Sequence, residues 1–353
     1  MSNNTNTSKR DRKQRFFAII AMIIIVAMLA SLLLAGLTGC GYQTASSSDY
    51  IDRTSFYFDT VINVRIYDKQ DESILDGCME LAAYYDNLLS ASKEDSDIWK
   101  INNSAGTPVK VSPETISLLN AALYYAKLTD GAFNPALYSV ISLWDFTSDD
   151  EKDHVVPGDA DIQNALEHTD YNTIVVDKDN SIVTLTDPDV KIELGAIAKG
   201  FIADKLKEYM VQQGVRSAII NLGGNALLVG SKPDNTSFTV GVEKPFGNAG
   251  DYVTTVSTVD KSVVTSGVYE RYFKIDDTIY HHILDPKTGY PVNNGLYSVT
   301  ILSDNSVDGD ALSTACFVLG PSKGMELIES LDGVEAAFVY SDYSVTYSSG
   351  FNN

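Results

Sequence analysis

Three observations predict an α+β fold. Strand-like and helix-like stretches are mixed along the chain without a regular βαβ rhythm, which argues against a doubly wound parallel sheet. From Ser217 to Leu302 short β-rich runs alternate with turns, the texture of antiparallel strands. The composition is that of a folded protein, with 44% hydrophobic and 21% charged residues in a chain of 353. Disorder over most of the length is thereby excluded. So is a multi-span membrane protein, because the chain has one long apolar run.

That run lies near the start. Lys9, Arg10, Arg12, Lys13 and Arg15 form a basic n-region, and Phe16 to Ala35 is uncharged and almost wholly apolar. It ends in Leu37-Thr38-Gly39-Cys40, small residues before a cysteine that resemble the bacterial lipobox. The expected organisation is a signal peptide over 1–39, a lipidated Cys40 and flexible tether over 40–50, and a folded domain over 51–353. The alternative is an uncleaved signal anchor with an incidental cysteine. Both readings put the domain at the cell membrane, on its extracytoplasmic face.

Lys and Arg number 26 against 47 Asp and Glu, for a formal net charge of −21. Such a surface repels phosphate backbones, so no nucleic-acid partner is expected. Three cysteines exclude a disulfide scaffold. Cys78 and Cys316 each sit in an apolar helical pattern, which favours buried free thiols. Spacing alone leaves their pairing open.

The elements follow in order. Phe56 to Tyr67 is rich in aromatic and β-branched residues and reads as a strand. Ile74, Leu75, Cys78, Leu81, Ala82, Tyr85, Leu88 and Leu89 recur at helical spacing. Ser112-Pro113 opens a second helix, serine as cap and proline in the first turn, which ends near Asp130-Gly131. Thr147 to Ala160 is acidic and holds Pro157-Gly158, a solvated loop. Tyr171–Val176 and Ser181–Thr186 flank Asp179-Asn180 as a hairpin. Ile192 to Tyr209 starts as a strand and continues as a helix. Asp308 to Leu319 reads as a helix stopped by Gly320-Pro321, followed by a short helix and two strands.

Four blocks carry chemistry. Gly195-Ala196-Ile197-Ala198-Lys199-Gly200 places glycines and a cation at a helix start, where a phosphate is favoured. Tight helix–sheet packing would use the same glycines. Asn221-Leu222-Gly223-Gly224-Asn225 follows an apolar strand and allows φ > 0, as an ordinary turn also would. Thr265-Ser266-Gly267, Tyr269-Glu270-Arg271 and His281-His282-Ile283-Leu284-Asp285-Pro286-Lys287-Thr288-Gly289 form the richest block. Adjacent residues on a strand face opposite sides, so at most one of the two histidines faces a given site. That one is placed to act as a base, or the pair caps a loop. Asp310 and Thr314 are i and i+4 on one helix face. Their carboxylate and hydroxyl suit a hard cation such as Mg²⁺, which takes oxygen ligands. A dipole-favoured Asp with a packed Thr is the plainer reading.

Taken in order, these blocks resemble those of the ApbE family, the FAD:protein FMN transferases, from about Phe56 to Tyr340. The likeness lies in G-G/A-x-A-K-G at Gly195, N-L-G-G-[DN] at Asn221, S-G…H-x-x-D-P-x-T-G from Ser266 to Gly289, and D-x-x-x-T at Asp310. The resemblance implies a bilobed α+β fold with mixed sheets and flanking helices. It implies FAD as substrate, Mg²⁺ as cofactor, and transfer of FMN to a Thr or Ser hydroxyl of a target flavoprotein with release of AMP. Extracytoplasmic subunits of Rnf-type or sodium-pumping redox complexes are the implied acceptors. Carried over residue by residue, His282 is the base, and the metal ligands are Asp310, Thr314 and the carbonyl of Ala196. Phe58, Ser92, Asn134, Lys199, Gly267, Ile283 and Thr288 contact FAD. Three positions depart from the family pattern. Phe58-Asp59-Thr60 stands for Met-Gly-Thr, Ser92 for an aromatic, and Asn134 for an aspartate. Other readings are an FAD-binding lipoprotein, an FAD pyrophosphatase without protein transfer, and a solute-binding lipoprotein of another family.

Overall fold

The computed structural model describes residues 50–146 and 154–351. The expected signal peptide, Cys40 and all of the tether but Tyr50 lie outside the described residues, as does most of the acidic stretch of the 147–160 loop.

An eight-stranded antiparallel sheet organises the chain. It comprises β1 (Ile51–Tyr57), β2 (Thr60–Ile66), β6 (Ser217–Leu222), β7 (Asn225–Gly230), β10 (Ser262–Gly267), β13 (Leu296–Ser303), β14 (Glu335–Tyr340) and β15 (Val345–Tyr347), in that spatial order. The expected single strand from Phe56 to Tyr67 is instead the end of β1 and all of β2. Phe58 and Asp59 both take the left-handed conformation at φ 55°, and Tyr57 pairs with Thr60 across them. Gly223 and Gly224 turn β6 into β7 with φ of 62° and 92°, the two-residue hairpin that a double glycine permits.

Side-chain alternation gives the sheet two faces. In the β10–β13 pairing, Val264 opposite Ile301 faces the helices, and Val263 opposite Leu302 faces the other side. The helical layer holds α1 (Glu72–Leu89), α6 (Gly195–Gln212) and α7 (Ser306–Glu329). On the far face a hairpin of β8 (Phe238–Glu243) and β9 (Tyr252–Thr258) contributes Val256 to a smaller cluster. The expected stop at Gly320-Pro321, with a further short helix after it, lies within α7. Gly320 at φ 79° and ψ 173° kinks it into two helical segments.

The expected strand at Ile192 is absent for a specific reason. The Asn102 side chain takes both backbone groups of Ile192, accepting from its amide at 2.7 Å and donating to its carbonyl at 2.8 Å. A side-chain amide thus does what a neighbouring strand would do. Asn102 ends α2 (Asp97–Asn102), a short helix that the periodicity did not signal. Asp97 in its first turn is buried and accepts from the Ser112 amide and the Thr115 hydroxyl, both at 2.8 Å. It thereby fixes the start of α3 (Pro113–Leu128).

A second, smaller apolar cluster forms apart from the main core. Trp144 of α4 (Tyr138–Trp144) and Ile162 of α5 (Asp159–Leu166) pack with Phe273 of β11 (Tyr272–Ile275), which pairs with β12 (Thr278–His281). The expected hairpin is present as β4 (Ile174–Asp177) and β5 (Ile182–Leu185), with β3 (Val109–Lys110) beside β5. Cys78 and Cys316 are buried free thiols, each pushed up to about 12 by burial.

Candidate functional site

The site forms where the first turns of α6 meet α7. Gly200 makes that meeting possible. A Cβ there would lie 2.2 Å from the Ser306 carbonyl oxygen and 2.7 Å from Val307 Cα. One turn later, Asp204 accepts from the amides of Ser306 at 2.8 Å and Val307 at 2.9 Å, and so caps α7 from the neighbouring helix. Burial pushes Asp204 up to about 6.

This contact delivers Asp310 to α6. Its side chain is 3% exposed. Oδ2 accepts from the Gly200 amide at 2.9 Å, and Oδ1 lies 3.4 Å from Lys199 Nζ. Lys199 also donates to the Gly195 carbonyl at 3.0 Å. In an α-helix the Gly200 amide is the partner of the Ala196 carbonyl. That carbonyl therefore belongs to the helix turn that meets the carboxylate. Thr314, one turn after Asp310, has its hydroxyl 3.2 Å from Ser266 Oγ, which in turn lies 2.8 Å from Ser313 Oγ.

β10 ends at Gly267, whose amide donates to Glu270 Oε1 at 2.9 Å. Glu270 keeps exposed surface, yet desolvation in the cleft pushes its carboxyl above the usual carboxylate range, against the pull of Lys199. Glu193 is also raised by burial, while its Oε1 accepts from the Gly195 amide at 2.6 Å. Lys199, Arg271 and Asp310 all act electrostatically on both glutamates.

The two histidines divide, His281 at the end of β12 and His282 in the bend after it. His281 is buried and fully engaged: Nε2 donates to the Val292 carbonyl at 2.9 Å, and Nδ1 accepts from the Ile283 amide at 3.3 Å. His282 faces the site side, in electrostatic reach of Arg271 and Lys199. Its Nδ1 lies 3.2 Å from the Arg271 carbonyl. A carbonyl can only accept, so Nδ1 carries the proton and Nε2 keeps its lone pair. Burial, then Arg271, lowers the His282 pKa to about 3, so the ring is neutral at neutral pH.

The structure therefore brings together Lys199, Gly267, His282, Asp310, Thr314 and the helix turn of Ala196. The remaining expected residues are placed as follows. Ile283 is buried beside His282, its carbonyl accepting from Val292. Thr288 sits in the Asp285–Tyr290 turn, which Trp144 pins by donating to the Gly289 carbonyl at 2.9 Å. Phe58 donates its amide to Asp86 at 3.1 Å. Ser92 lines a depression of about 500 Å³ with Trp99, Asn103, Tyr138 and Lys191. Asn134 spends its side chain on the fold, donating to the Thr169 carbonyl and accepting from the Ala136 amide. Sequence reasoning gave no role to Glu193, Glu270 or Arg271. The available signal was the polar triplet Tyr269-Glu270-Arg271 directly after Gly267.

Residues 58–338 match the sequence profile of the ApbE family. An FAD:protein FMN transferase of Klebsiella pneumoniae is 37% identical over 82% of this chain and 88% of its own length. One from Treponema pallidum is 35% identical over 90% of this chain and 91% of its own. The crystal structure of the ApbE protein from Thermotoga maritima superposes with a TM-score of 0.79 at 32% identity, covering 86% of this chain and 98% of that one.

Proposed function

The chain belongs to the ApbE family and is an FAD:protein FMN transferase, and from that premise we propose a Mg²⁺-dependent transfer of FMN to a protein Thr or Ser hydroxyl with release of AMP. The observation that carries this reading is the hard-oxygen donor set around Asp310. A nearly buried carboxylate, the Thr314 hydroxyl and the Ala196 carbonyl are the ligand types that Mg²⁺ takes. These hard oxygen donors fit the ion. When bound, Mg²⁺ supplies positive charge to the pyrophosphate oxygens as the P–O bond breaks.

The chain's own groups do the rest. His282 Nε2 accepts the proton of the acceptor hydroxyl as its oxygen attacks the FMN-side phosphorus. The bond to the AMP oxygen breaks, and AMP leaves. The Arg271 carbonyl holds the ring in the tautomer that leaves Nε2 free. A positioned base contributes roughly 10²–10⁴-fold when its pKa lies near the working pH, and phosphates entering beside Lys199 would raise His282 from about 3 toward it. Lys199 neutralises phosphate charge beside the start of α6. Phe58, Ser92, Asn134, Gly267, Ile283 and Thr288 border the path that FAD would follow.

Cys40 is the proposed lipidation site, which anchors the domain to the cell membrane on its extracytoplasmic face and places it beside acceptor subunits of Rnf-type or sodium-pumping complexes. Asp310→Ala tests the enzyme reading. It is expected to abolish Mg²⁺ binding and AMP release from FAD together. AMP release persisting at the wild-type rate would overturn it.

A further inference from the structure

We propose that Lys199 occupies the cation seat at Asp310 when no metal is there, and that its transfer from Asp310 to the FAD pyrophosphate makes metal and FAD binding cooperative. The inference rests on the reading of FAD and Mg²⁺ given above and adds a linkage between them.

The geometry supports a displaceable ammonium. Lys199 Nζ is shared between Asp310 Oδ1 at 3.4 Å and the Gly195 carbonyl at 3.0 Å, two oxygens of the kind a metal ion would use. Asp310 is nearly buried, and a buried carboxylate without a counter-cation is strongly unfavourable. Lys199 therefore stabilises the metal-free protein. It also opposes the metal, because an ammonium and a divalent ion on one carboxylate oxygen repel each other at short range.

The surrounding charge makes the exchange asymmetric. Lys199 and Arg271 face Glu193, Glu270 and Asp310 in one cleft. A divalent ion alone adds two positive charges beside Lys199 and expels the ammonium with nothing to receive it. A pyrophosphate arriving with the ion supplies the receiving anion. Lys199 can follow it, because it is a flexible stem on the first turn of an eighteen-residue helix whose N-terminus favours anions. Each ligand thus removes an obstacle to the other, and the coupling is reciprocal.

The test is calorimetric titration of MgCl₂ into the purified protein, with and without saturating FAD, alongside thermal melting. In the wild type, FAD should tighten Mg²⁺ binding about tenfold or more. In Lys199→Met, Mg²⁺ alone should bind about tenfold more tightly than to the wild type, and FAD should add little. The metal-free variant should melt lower than the wild type and recover on adding Mg²⁺. Should Lys199→Met not fold without metal, Lys199→Gln removes the charge while keeping a polar head, and the same shifts are expected. Unchanged or weaker Mg²⁺ affinity in the neutral variants would overturn the proposal, as would a wild-type affinity indifferent to FAD. A wild type that binds no Mg²⁺ under either condition would instead refute the metal seat itself, and the exchange with it.

Discussion

Replacing Gly200 by alanine probes the contact on which the site is built. The new methyl carbon would meet the Ser306 carbonyl oxygen at 2.2 Å and Val307 Cα at 2.7 Å. Ordinary contact needs about 3.5 Å, so α6 and α7 must part by about 1 Å. The neighbours are backbone atoms and cannot swing aside. That movement lengthens the Asp204 bonds to Ser306 and Val307 and the Gly200 bond to Asp310, now 2.8–2.9 Å, beyond useful range. Overpacking costs about 1–3 kcal/mol, and each weakened bond to a charged group adds up to about 1.5 kcal/mol. A total near 4 kcal/mol, partly relaxed, lowers the Tm of a domain this size by about 6 °C. Differential scanning calorimetry measures this, and magnesium titration of the same sample should show weakened affinity because Asp310 has moved. A Tm within about 1 °C of wild type, with unchanged Mg²⁺ affinity, would refute the backbone contact and the way it positions Asp310.

His282→Ala should leave FAD affinity unchanged while slowing transfer by roughly 10²–10⁴-fold, read by single-turnover mass spectrometry; a normal rate contradicts the base assignment. Asp204 is raised by burial from 3.8 to about 6, so its folded form holds the proton more tightly. Its contribution to stability is full below about pH 4 and is lost as pH rises through about 6, a change of up to about 3 kcal/mol. Wild-type stability should therefore fall across that window relative to Asp204→Asn, and parallel stability–pH curves for the two would sink the argument. Asp97→Ala strips the partners from the Ser112 amide and the Thr115 hydroxyl and should cost about 2–4 kcal/mol in urea unfolding. A loss under about 0.5 kcal/mol would mean that Asp97 does not anchor α3.

Much of this was legible in the residues, where local chemistry dictates local form. The double glycine at Gly223 permits one hairpin, the Ser112-Pro113 pair caps one helix, and the i, i+4 spacing of Asp310 and Thr314 puts both oxygens on one helix face. Of the adjacent histidines His281 serves the fold and His282 faces the site, although only His281 lies on the strand. What stayed hidden depends on partners distant in sequence. Ile192 looks like a strand but is satisfied by Asn102, ninety positions earlier. Asn134 also ties Thr169 to Ala136, a role in the fold that the residue alone did not announce. Glu193 and Glu270 could not be placed, because their role follows from sharing one cleft with Lys199 and Asp310, which only the meeting of α6 and α7 creates.

The central claim is that this chain moves FMN onto a protein hydroxyl using the Asp310 seat and the His282 base. The direct measurement mixes the chain from Gly41 onward with FAD, Mg²⁺ and an acceptor flavoprotein bearing an exposed threonine, and follows AMP and the intact mass of the acceptor together. The account predicts one AMP released for each acceptor that gains the mass of covalent FMN, and neither product when Mg²⁺ is chelated. AMP formed at full rate with no gain in acceptor mass would contradict it and make the enzyme a hydrolase of FAD.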